Sequence, residues 1–290
     1  MDDQQLNHDS ASVFAPLTRH VSIGEVQIGG TLPFVLICGP CQMESEAHCI
    51  DVAGTLVEIS KECGIEFVFK TSFDKANRSS SSAKRGLGFE KSIGVFDKIR
   101  KEIGCPVLTD VHEPWQCEPI ANVVDAIQIP AFLCRQTDLL LAAGKCGKPV
   151  NIKKGTFLSP WDMQHVTEKI RSTGNNDILV CERGACFGYN NLVNDFRSLP
   201  VMQKLGYPVV FDATHSVQQP GALGHASNGQ REFVAPLARA AVAVGVSAIL
   251  IEAHEKPEQA PSDGPCMLSL QDIPSLILVL KKLDAIIKNR

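Results

Sequence analysis

From residue 34 onward, short apolar runs alternate with longer segments whose apolar residues recur at helical spacing. Continuous apolar strands separated by helices are typical of a parallel sheet that is covered on both faces. The runs predict strands at Phe34–Cys38, Glu66–Lys70, Pro106–Asp110, Asp125–Ile129, Val150–Lys153, Asp177–Cys181, Pro208–Asp212 and Ser247–Glu252. The segments between them predict helices over about residues 44–63, 87–103, 114–122, 135–146, 160–172, 191–205, 231–244 and 270–288.

Eight strand–helix units within about 250 residues match the architecture of an α/β (β/α)8 TIM barrel. A doubly wound sheet is the alternative, but no glycine-rich turn follows the first strand, which favours the barrel. Residues 20–29 alternate apolar and polar side chains around Gly24-Glu25, a pattern that predicts a short N-terminal β-hairpin. We expect residues 1–19 to form a poorly ordered tail and residues 20–290 to form one barrel domain.

Composition narrows the class of protein further. The 290 residues are 44% apolar and 21% charged with a net charge of −4, which argues against disorder and against a nucleic-acid coat protein. The first twenty residues contain acids and no apolar run, so we expect no secretory signal. The most apolar stretch, 234–251, is interrupted by Pro236 and Arg239 and does not predict a membrane span. We therefore expect a cytoplasmic protein with reduced cysteines that binds neither nucleic acid nor a membrane.

Polar side chains stand wherever a predicted strand ends, and these ends carry the chemistry of such barrels. In chain order they are Cys41, Lys70, Asp110 with His112, Gln128, Lys153, Arg183, Asp212 with His215, and Glu252. Burying so many polar groups is unfavourable unless they are paired, and a purely structural barrel does not require them. The ring therefore predicts a functional site.

One group in this ring is cationic, although the chain as a whole is negatively charged. Its members are Lys70, Lys75, Arg78, Lys153 and Arg183. Local cations without overall basicity suit a small anionic ligand, because Lys offers a point charge and Arg a planar fork to phosphate or carboxylate. The alternative interpretation is that these cations form salt bridges with the acids at neighbouring strand ends.

A second group combines a thiol, an imidazole and carboxylates. Cys41, His215 and Glu252 belong to the first, seventh and eighth units, which are neighbours in a closed barrel, and Asp263 follows in the next loop. These residue types are the ligands of a borderline divalent metal ion. The competing interpretation is a thioredoxin-type dithiol at Cys38-Gly39-Pro40-Cys41, but thioredoxin domains are much shorter and lack the eightfold alternation.

Long motifs along the chain resemble one enzyme family, the 3-deoxy-D-manno-octulosonate 8-phosphate synthases. The motifs are FVFKTSFDKANRS (67–79), IQIPAFLCRQTDLL (127–140), NIKKG (151–155), ERG followed by FGYNNL (182–192), DATHSVQ (212–218) and IEAH (251–254). The resemblance covers the chain from about residue 20. It implies a TIM barrel, usually assembled as a homotetramer in the cytoplasm, that condenses phosphoenolpyruvate with arabinose 5-phosphate and water on the route to lipopolysaccharide.

The resemblance also implies roles for individual residues. Phosphoenolpyruvate is expected against Lys70, Lys75, Gln128, Lys153 and Arg183. The sugar phosphate is expected at Arg78 and Ser79, contributed by a neighbouring subunit, with Asn77 and Asp263 at the hydroxyls or aldehyde of the sugar. Lys75, Asn77, His215 and Asp263 are the expected catalytic residues. The two substrates bring about five negative charges, a number equal to the five cations named above.

The family has a metal-dependent branch with Cys after the first strand and a metal-free branch with Asn there. With Cys41, His215, Glu252 and Asp263 at the family's ligand positions, this chain resembles the metal-dependent branch, and the resemblance implies Fe2+, Zn2+, Mn2+ or Co2+ as candidate ions. One departure is Ser227-Asn228-Gly229-Gln230, where relatives usually carry a Gly-Gly pair, in a loop expected to cover the site.

The nearest alternative function is that of the sister enzyme, 3-deoxy-D-arabino-heptulosonate 7-phosphate synthase, which uses erythrose 4-phosphate. Its usual sugar-phosphate motif is Lys-Pro-Arg-Thr-Ser, whereas this chain has Lys75-Ala76-Asn77-Arg78-Ser79. The motif therefore favours the five-carbon sugar. A dithiol redox protein built on Cys38 and Cys41 is the remote alternative.

Overall fold

The computed structural model describes residues 19–78, 80–222 and 227–288, in which eight parallel strands alternate with eight α-helices. The barrel strands are β1 (Val35–Gly39), β2 (Phe67–Lys70), β3 (Val107–Asp110), β4 (Ala126–Ile129), β5 (Val150–Lys153), β6 (Ile178–Glu182), β7 (Val209–Asp212) and β8 (Ala248–His254). The helices are α1 (Glu46–Cys63), α2 (Phe89–Lys98), α3 (Pro114–Ala121), α4 (Thr137–Lys145), α5 (Met163–Arg171), α6 (Ser198–Gln203), α7 (Val234–Val244) and α8 (Ile273–Ile287).

The sheet closes on itself because β8 pairs with both β7 and β1. Asp212 aligns with Leu250 across the first pair of strands, and Gly39 aligns with Glu252 across the second. Every barrel pair is parallel and sequential, as the predicted (β/α)8 TIM barrel requires. The predicted fold class is confirmed.

The barrel interior has an apolar lower part and a polar upper part. Val35, Ile37, Val68, Leu108 and Val210 form part of a buried apolar cluster inside the strands. Because side chains alternate along a strand, residues two positions further on point inward as well. At the carboxyl ends those inward positions are polar, and they are occupied by Lys70, Asp110, Gln128, Lys153, Asp212 and Glu252.

The predicted N-terminal hairpin is present and fills the lower end of the barrel. Val21–Ile23 pairs with Val26–Ile28 around a turn in which Gly24 has a φ of 56°, a conformation that favours glycine. The four apolar side chains of the hairpin join the interior cluster, while the large outer cluster lies between the strands and the helices. The lower end of the barrel is therefore filled by apolar side chains of the hairpin.

Local signals place α1 directly behind the first strand-end loop. Ser45 is its N-cap and accepts a hydrogen bond from the His48 amide at 3.1 Å. Gly64 ends the helix in the left-handed region, where its amide donates to the Lys61 and Ser60 carbonyls.

The predicted helix over residues 191–205 is wrong in its first half, since α6 begins at Ser198. Leu192–Val193 instead pairs with Ala185–Cys186 in an antiparallel ribbon. The turn between these strands needs two left-handed residues, Gly188 with a φ of 77° and Asn190 with a φ of 53°. Because Leu192–Val193 is paired in this ribbon, the helix cannot begin at residue 191.

Two further predictions fall partly outside the described residues. The predicted tail 1–19 does so except for Arg19, whose amide donates to the Gly206 carbonyl at 3.1 Å. In the loop expected to cover the site, residues 223–226 are also outside, while Asn228–Gly229 pairs with Gln218–Gln219. In the part of the chain that the structure describes, no helix is long and apolar enough to cross a membrane.

Candidate active site

A cavity of about 840 Å³ opens at the carboxyl ends of the barrel strands. Its wall includes Lys70, Lys75, Asn77, Arg78, Lys153, Arg183, His215 and Asp263, all predicted site residues. The loops after β2 and β8 both form part of the opening, because residues 74–78 and 260–265 contribute to the wall. The structure therefore brings most of the predicted site into one cavity.

The four predicted metal ligands lie together, and two of them, His215 and Asp263, contribute to the wall of this cavity. Cys41, His215, Glu252 and Asp263 each offer one ligand atom, and these atoms all lie within 4.8 Å of one another. Cys41 follows β1, Glu252 lies in β8, and His215 follows β7, so closure of the barrel brings them together. We call these four residues the ligand quartet.

The spacing of the ligand quartet fits a divalent ion. Cys41 Sγ lies 3.2 Å from Asp263 Oδ2, and His215 Nε2 lies 3.5 Å from Glu252 Oε2 and 3.7 Å from Asp263 Oδ2. Ligands about 2.0–2.3 Å from a common ion are separated by similar distances. Glu252 Oε2 is buried and accepts no hydrogen bond from the described residues. A bound cation would satisfy this oxygen.

Asp212 fixes the orientation of the His215 ring. Its Oδ2 lies 2.8 Å from His215 Nδ1 and 2.6 Å from Lys153 Nζ, while Oδ1 accepts the His215 amide at 2.9 Å. With Nδ1–H directed at a carboxylate, Nε2 is left as the free ligand atom facing Glu252 and Asp263. Burial raises the pKa of Asp212, but His215 and Lys153 outweigh it and hold that pKa well below its ordinary value. Asp212 is therefore a buried anion.

The thiols at Cys38 and Cys41 do not have the environment of a reactive dithiol. Both are buried and free, with exposed fractions of 0% and 2%. Burial, followed by the nearby Glu252 carboxylate, raises the pKa of Cys41 well above its ordinary value. Burial likewise raises the pKa of Cys38. Redox-active cysteines instead have lowered pKa values and partial exposure, so the dithiol alternative is disfavoured.

Two of the five predicted cations are paired with strand-end acids. Lys70 Nζ lies 3.1 Å from Asp110 and 3.3 Å from Glu252, and Lys153 Nζ is bound to Asp212. Burial raises the pKa of Asp110, but Lys70, Lys75 and Lys153 lower it well below its ordinary value. The salt bridges foreseen by the alternative interpretation are therefore present.

These salt bridges change the charge comparison made from the sequence. Four carboxylates, those of Asp110, Asp212, Glu252 and Asp263, stand among the five cations. The cations alone therefore do not balance two phosphorylated substrates, and a divalent ion at the ligand quartet would add the missing positive charge.

Lys75 and Arg183 contribute cationic groups on opposite sides of the cavity. Burial lowers the pKa of Lys75, but Cys41, Glu252 and other acids outweigh it and raise that pKa above its ordinary value. Lys75 is therefore an ammonium at neutral pH. The backbone of Arg183 is held by Glu182, whose Oε1 accepts the Arg183 amide at 2.9 Å and the Gly184 amide at 2.7 Å.

Arg78 and Asn77 lie on the loop after β2. The Arg78 guanidinium donates to Ser262 Oγ at 2.9 Å and to the Pro261 carbonyl, both in the loop after β8. Arg78 therefore reaches the wall of the cavity in its own chain, and Asn77 is exposed beside it. Ser79 lies outside the described residues.

The structure does not bring Gln128 into the cavity wall. It is fully buried, its Nε2 donates to Asp110 Oδ1 at 2.6 Å, and its Oε1 accepts Asn151 Nδ2 at 2.8 Å. The contact of Gln128 with the site runs through Asp110.

A second group of potential ligands, Glu44, His48 and His254, lies behind the rim of the barrel. His254 Nδ1 accepts the Lys256 amide at 2.9 Å, which leaves the ring hydrogen on Nε2, 2.9 Å from Glu44 Oε1. Both ring nitrogens of His254 therefore already have partners, and His48 Nε2 lies 3.1 Å from Glu255 Oε2.

Sequence reasoning assigned no role to two residues that the structure places in contact with the site. Asp212 was noted only as a strand-end acid, and its bond to His215 depends on a turn that folds residue 215 back over the strand end. Gln218, the last residue of the quoted motif DATHSVQ, contacts both Arg183 and Asp263. Its place in that motif was the only sign of a role in the sequence.

Comparison with known proteins now adds to this geometry. A family model described as the DAHP synthetase I family matches residues 7–289. The chain belongs to the DAHP synthetase I family. Relatives from Brucella anthropi and Rhodopseudomonas palustris, both named 2-dehydro-3-deoxyphosphooctonate aldolase, are each 58% identical to the chain. The first matches over 275 residues, 95% of this chain and 99% of the relative, and the second over 271 residues, 93% and 94%.

A third relative, from Bartonella quintana, bears the same name. It is 53% identical over 277 residues, which are 96% of this chain and 99% of the relative. The shared name is another for 3-deoxy-D-manno-octulosonate 8-phosphate synthase, so the resemblance drawn from the sequence motifs is confirmed.

Proposed function

We propose that this chain condenses phosphoenolpyruvate with D-arabinose 5-phosphate and water, giving 3-deoxy-D-manno-octulosonate 8-phosphate and inorganic phosphate. The observation that carries the proposal is one cavity whose wall contains the cations Lys75, Arg78 and Arg183 together with His215 and Asp263 of the ligand quartet. Relatives that match nearly the whole chain bear the name of this enzyme, which favours it over the heptulosonate synthase. The product belongs to lipopolysaccharide synthesis, and we place the reaction in the cytoplasm.

Phosphoenolpyruvate is assigned to the side of the cavity formed by Lys70, Lys153 and Arg183, with Lys75 above it. Lys70 and Lys153 keep their buried carboxylate partners, so they contribute a fixed field instead of free charges. Arg183 offers a planar fork to a phosphate or carboxylate. Gln128 acts through Asp110, which it orients from below.

The sugar phosphate is assigned to Arg78 and Ser79, and the sugar hydroxyls to Asn77. Its aldehyde then faces the ligand quartet, near Lys75. In the condensation a bond forms between C3 of phosphoenolpyruvate and the aldehyde carbon, whose oxygen gains a proton. Lys75 is the proton donor we assign, since nearby acids, among them members of the ligand quartet, keep its ammonium charged. Water adds its oxygen at C2 of phosphoenolpyruvate, and the bond from C2 to the phosphate oxygen breaks to leave a C2 carbonyl. Of the two protons of the water, one leaves with the phosphate and one restores the Lys75 ammonium.

Cys41, His215, Glu252 and Asp263 are assigned to hold a divalent ion. When bound, such an ion polarises a carbonyl oxygen or an adjacent water. Asp212 keeps His215 in the tautomer that presents Nε2, and the carboxylates supply hard ligands beside the soft thiolate. Fe2+, Zn2+, Mn2+ and Co2+ are all compatible with this donor set.

We further infer a homotetramer. Aromatic side chains on the loops after β4, β5 and β6 are exposed, among them Phe157 at 59%, Trp161 at 67%, Phe187 at 70% and Tyr189 at 97%. A patch of this kind is typical of an interface that covers it. Light scattering during size-exclusion chromatography measures the assembly, and a monomeric wild-type protein would contradict this inference.

The reaction is tested by measuring phosphate release from phosphoenolpyruvate with each sugar. We expect rapid release with arabinose 5-phosphate, little with erythrose 4-phosphate, and a product whose mass matches the eight-carbon sugar acid phosphate. The variant Arg197→Ala should release phosphate as fast as the wild type, because the side chain of this arginine forms only an exposed pair with Asp195 among the described residues. Equal or faster release with erythrose 4-phosphate would establish the heptulosonate alternative instead.

A further inference from the structure

The side chain of Gln218 joins the anion-binding wall to the ligand quartet. Its Oε1 accepts a hydrogen bond from Arg183 Nη2 at 2.8 Å, and its Nε2 donates to Asp263 Oδ1 at 2.8 Å. One neutral amide therefore contacts a predicted ligand of phosphoenolpyruvate and a predicted ligand of the ion. Among the described residues, Gln218 Oε1 is the acceptor to which the Arg183 guanidinium donates its side-chain hydrogen bond.

The orientation of this amide is determined by its two partners. A guanidinium is only a donor and a carboxylate is only an acceptor, so the carbonyl oxygen must face Arg183 and the NH2 must face Asp263. Asp263 Oδ1 is thereby occupied, which leaves Oδ2 facing Cys41 Sγ at 3.2 Å. Asp263 has a φ of 53°, an uncommon value for a residue other than glycine, so its conformation depends on its contacts.

The backbone beneath Gln218 is held from both sides. It follows His215 by three residues and pairs with Gly229 in the antiparallel ribbon Gln218–Gln219 and Asn228–Gly229. The ribbon packs closely on the loop after β8, since a Cβ at Gly229 would lie 2.1 Å from Cys266 Sγ. This close approach restricts movement of the ribbon. A shift of the Gln218 side chain towards Arg183 would therefore lengthen its hydrogen bond to Asp263, and the reverse also holds.

We propose that Gln218 is a positioning residue that couples the two halves of the site, so that a divalent ion and phosphoenolpyruvate bind cooperatively. The proposal rests on the assignment of these two ligands made above. A phosphate on Arg183 orders the guanidinium, the amide and then the Asp263 carboxylate, which prepares the ligand quartet. A bound ion orders the same three groups in the opposite direction, and the two effects must be equal.

The direct attraction between ion and phosphate also contributes to the coupling, and it does not depend on Gln218. The coupling factor is the ratio of Zn2+ affinities with and without saturating phosphoenolpyruvate. We expect a wild-type factor of about tenfold or more. In Gln218→Met, which keeps the length but removes both hydrogen bonds, we expect this factor to fall about threefold or more without reaching one. We expect the affinity for Zn2+ alone to fall roughly tenfold as well.

The experiment uses the full chain and no sugar, so no turnover occurs. Zn2+ affinity is measured by competition with a chromophoric chelator, and phosphoenolpyruvate affinity by calorimetry on the metal-free and Zn2+-loaded protein. Gln219→Met is the matched control, because the adjacent residue of the same strand points to the opposite face. It should retain the wild-type coupling factor. Gln218→Asn is a second variant whose shorter amide cannot span both partners, and it should also lower the factor.

The outcomes separate this proposal from the proposed function. Wild-type protein that fails to bind phosphoenolpyruvate or Zn2+ would overturn the proposed function and this inference together. Wild-type protein that binds both, with a coupling factor that Gln218→Met and Gln218→Asn leave unchanged, would overturn the role of Gln218 alone. Loss of coupling in Gln219→Met to the same extent would also overturn it, because the effect would then belong to the ribbon.

Discussion

Replacing Asp212 by Asn tests whether the carboxylate that contacts His215 Nδ1 controls metal binding by the ligand quartet. The substitution keeps the size of the side chain but removes its charge. It removes the carboxylate that lies 2.6 Å from Lys153 Nζ, and with it the charged acceptor 2.8 Å from His215 Nδ1. An amide NH2 facing Nδ1 would favour the ring tautomer with hydrogen on Nε2, the atom that must bind the ion.

Two magnitudes follow for Asp212→Asn. Removing one partner of a buried ion pair costs about 3–5 kcal/mol of folding free energy, because the remaining charge stays buried. Losing the carboxylate behind a ligating imidazole lowers metal affinity by about tenfold to a hundredfold. The first is measured by urea unfolding of the metal-free protein and the second by Zn2+ competition with a chelator.

Asp284→Asn is the matched control for stability. Asp284 is also buried, accepts the Phe34 amide at 3.2 Å and pairs with Lys288 at 2.7 Å, but it lies in α8, outside the active-site wall. We expect this control to lose stability while keeping wild-type Zn2+ affinity. If Asp212→Asn bound Zn2+ as tightly as the wild type, the reasoning that Asp212 sets the His215 tautomer would be refuted.

Four further predictions concern individual groups of the site. Arg78→Ala should raise the KM for arabinose 5-phosphate about tenfold to a hundredfold and that for phosphoenolpyruvate far less, since a charge-assisted contact contributes roughly 1.5–3 kcal/mol. Steady-state kinetics measure both constants, with Arg197→Ala as the control. An equal rise in the two KM values would contradict the assignment. Cys38→Ala should remain active while folded Cys41→Ala binds little metal and loses most activity, and an inactive, folded Cys38→Ala would revive the dithiol. Cys41→Asn should keep some activity that chelator does not remove, because an amide can hydrogen-bond the aldehyde or water, whereas Cys41→Ala should keep none. Because burial and Glu252 raise the pKa of Cys41, the thiol is protonated without an ion. The affinity for Zn2+ should therefore rise with pH, and Zn2+ binding should release a proton. Calorimetry in buffers of different ionisation enthalpy measures that proton, and zero release would count against a thiolate ligand.

The barrel was predictable from the sequence because each unit repeats the same physical pattern. Strands such as Val150–Lys153 end within one residue of the predicted position, because an apolar run stops where the polar upper layer begins. The helix predicted over 191–205 failed for the opposite reason. Its apolar residues satisfy a helical spacing, but Gly188 and Asn190 form a tight turn that pairs Leu192 with Cys186.

Parts of the candidate site were less accessible to sequence reasoning. The convergence of Cys41, His215 and Glu252 followed from closure of the barrel, which requires strand eight to pair with strand one. The contacts of Gln218 and the inward burial of Gln128 depend on side-chain directions and on ribbons of two residues. Such short elements carry too few residues for periodicity to reveal them.

The ligand quartet has a consequence for the order of events in the life of the chain. Cys41 and Asp263 are separated by 222 positions, so the ligand quartet joins the first barrel unit to the last. A nascent chain that has not yet emerged from the ribosome beyond residue 263 possesses a thiol and an imidazole but lacks the last carboxylate. An ion held by all four ligands would therefore be captured only once the barrel is complete, so that metal binding by the ligand quartet would report closure of the barrel.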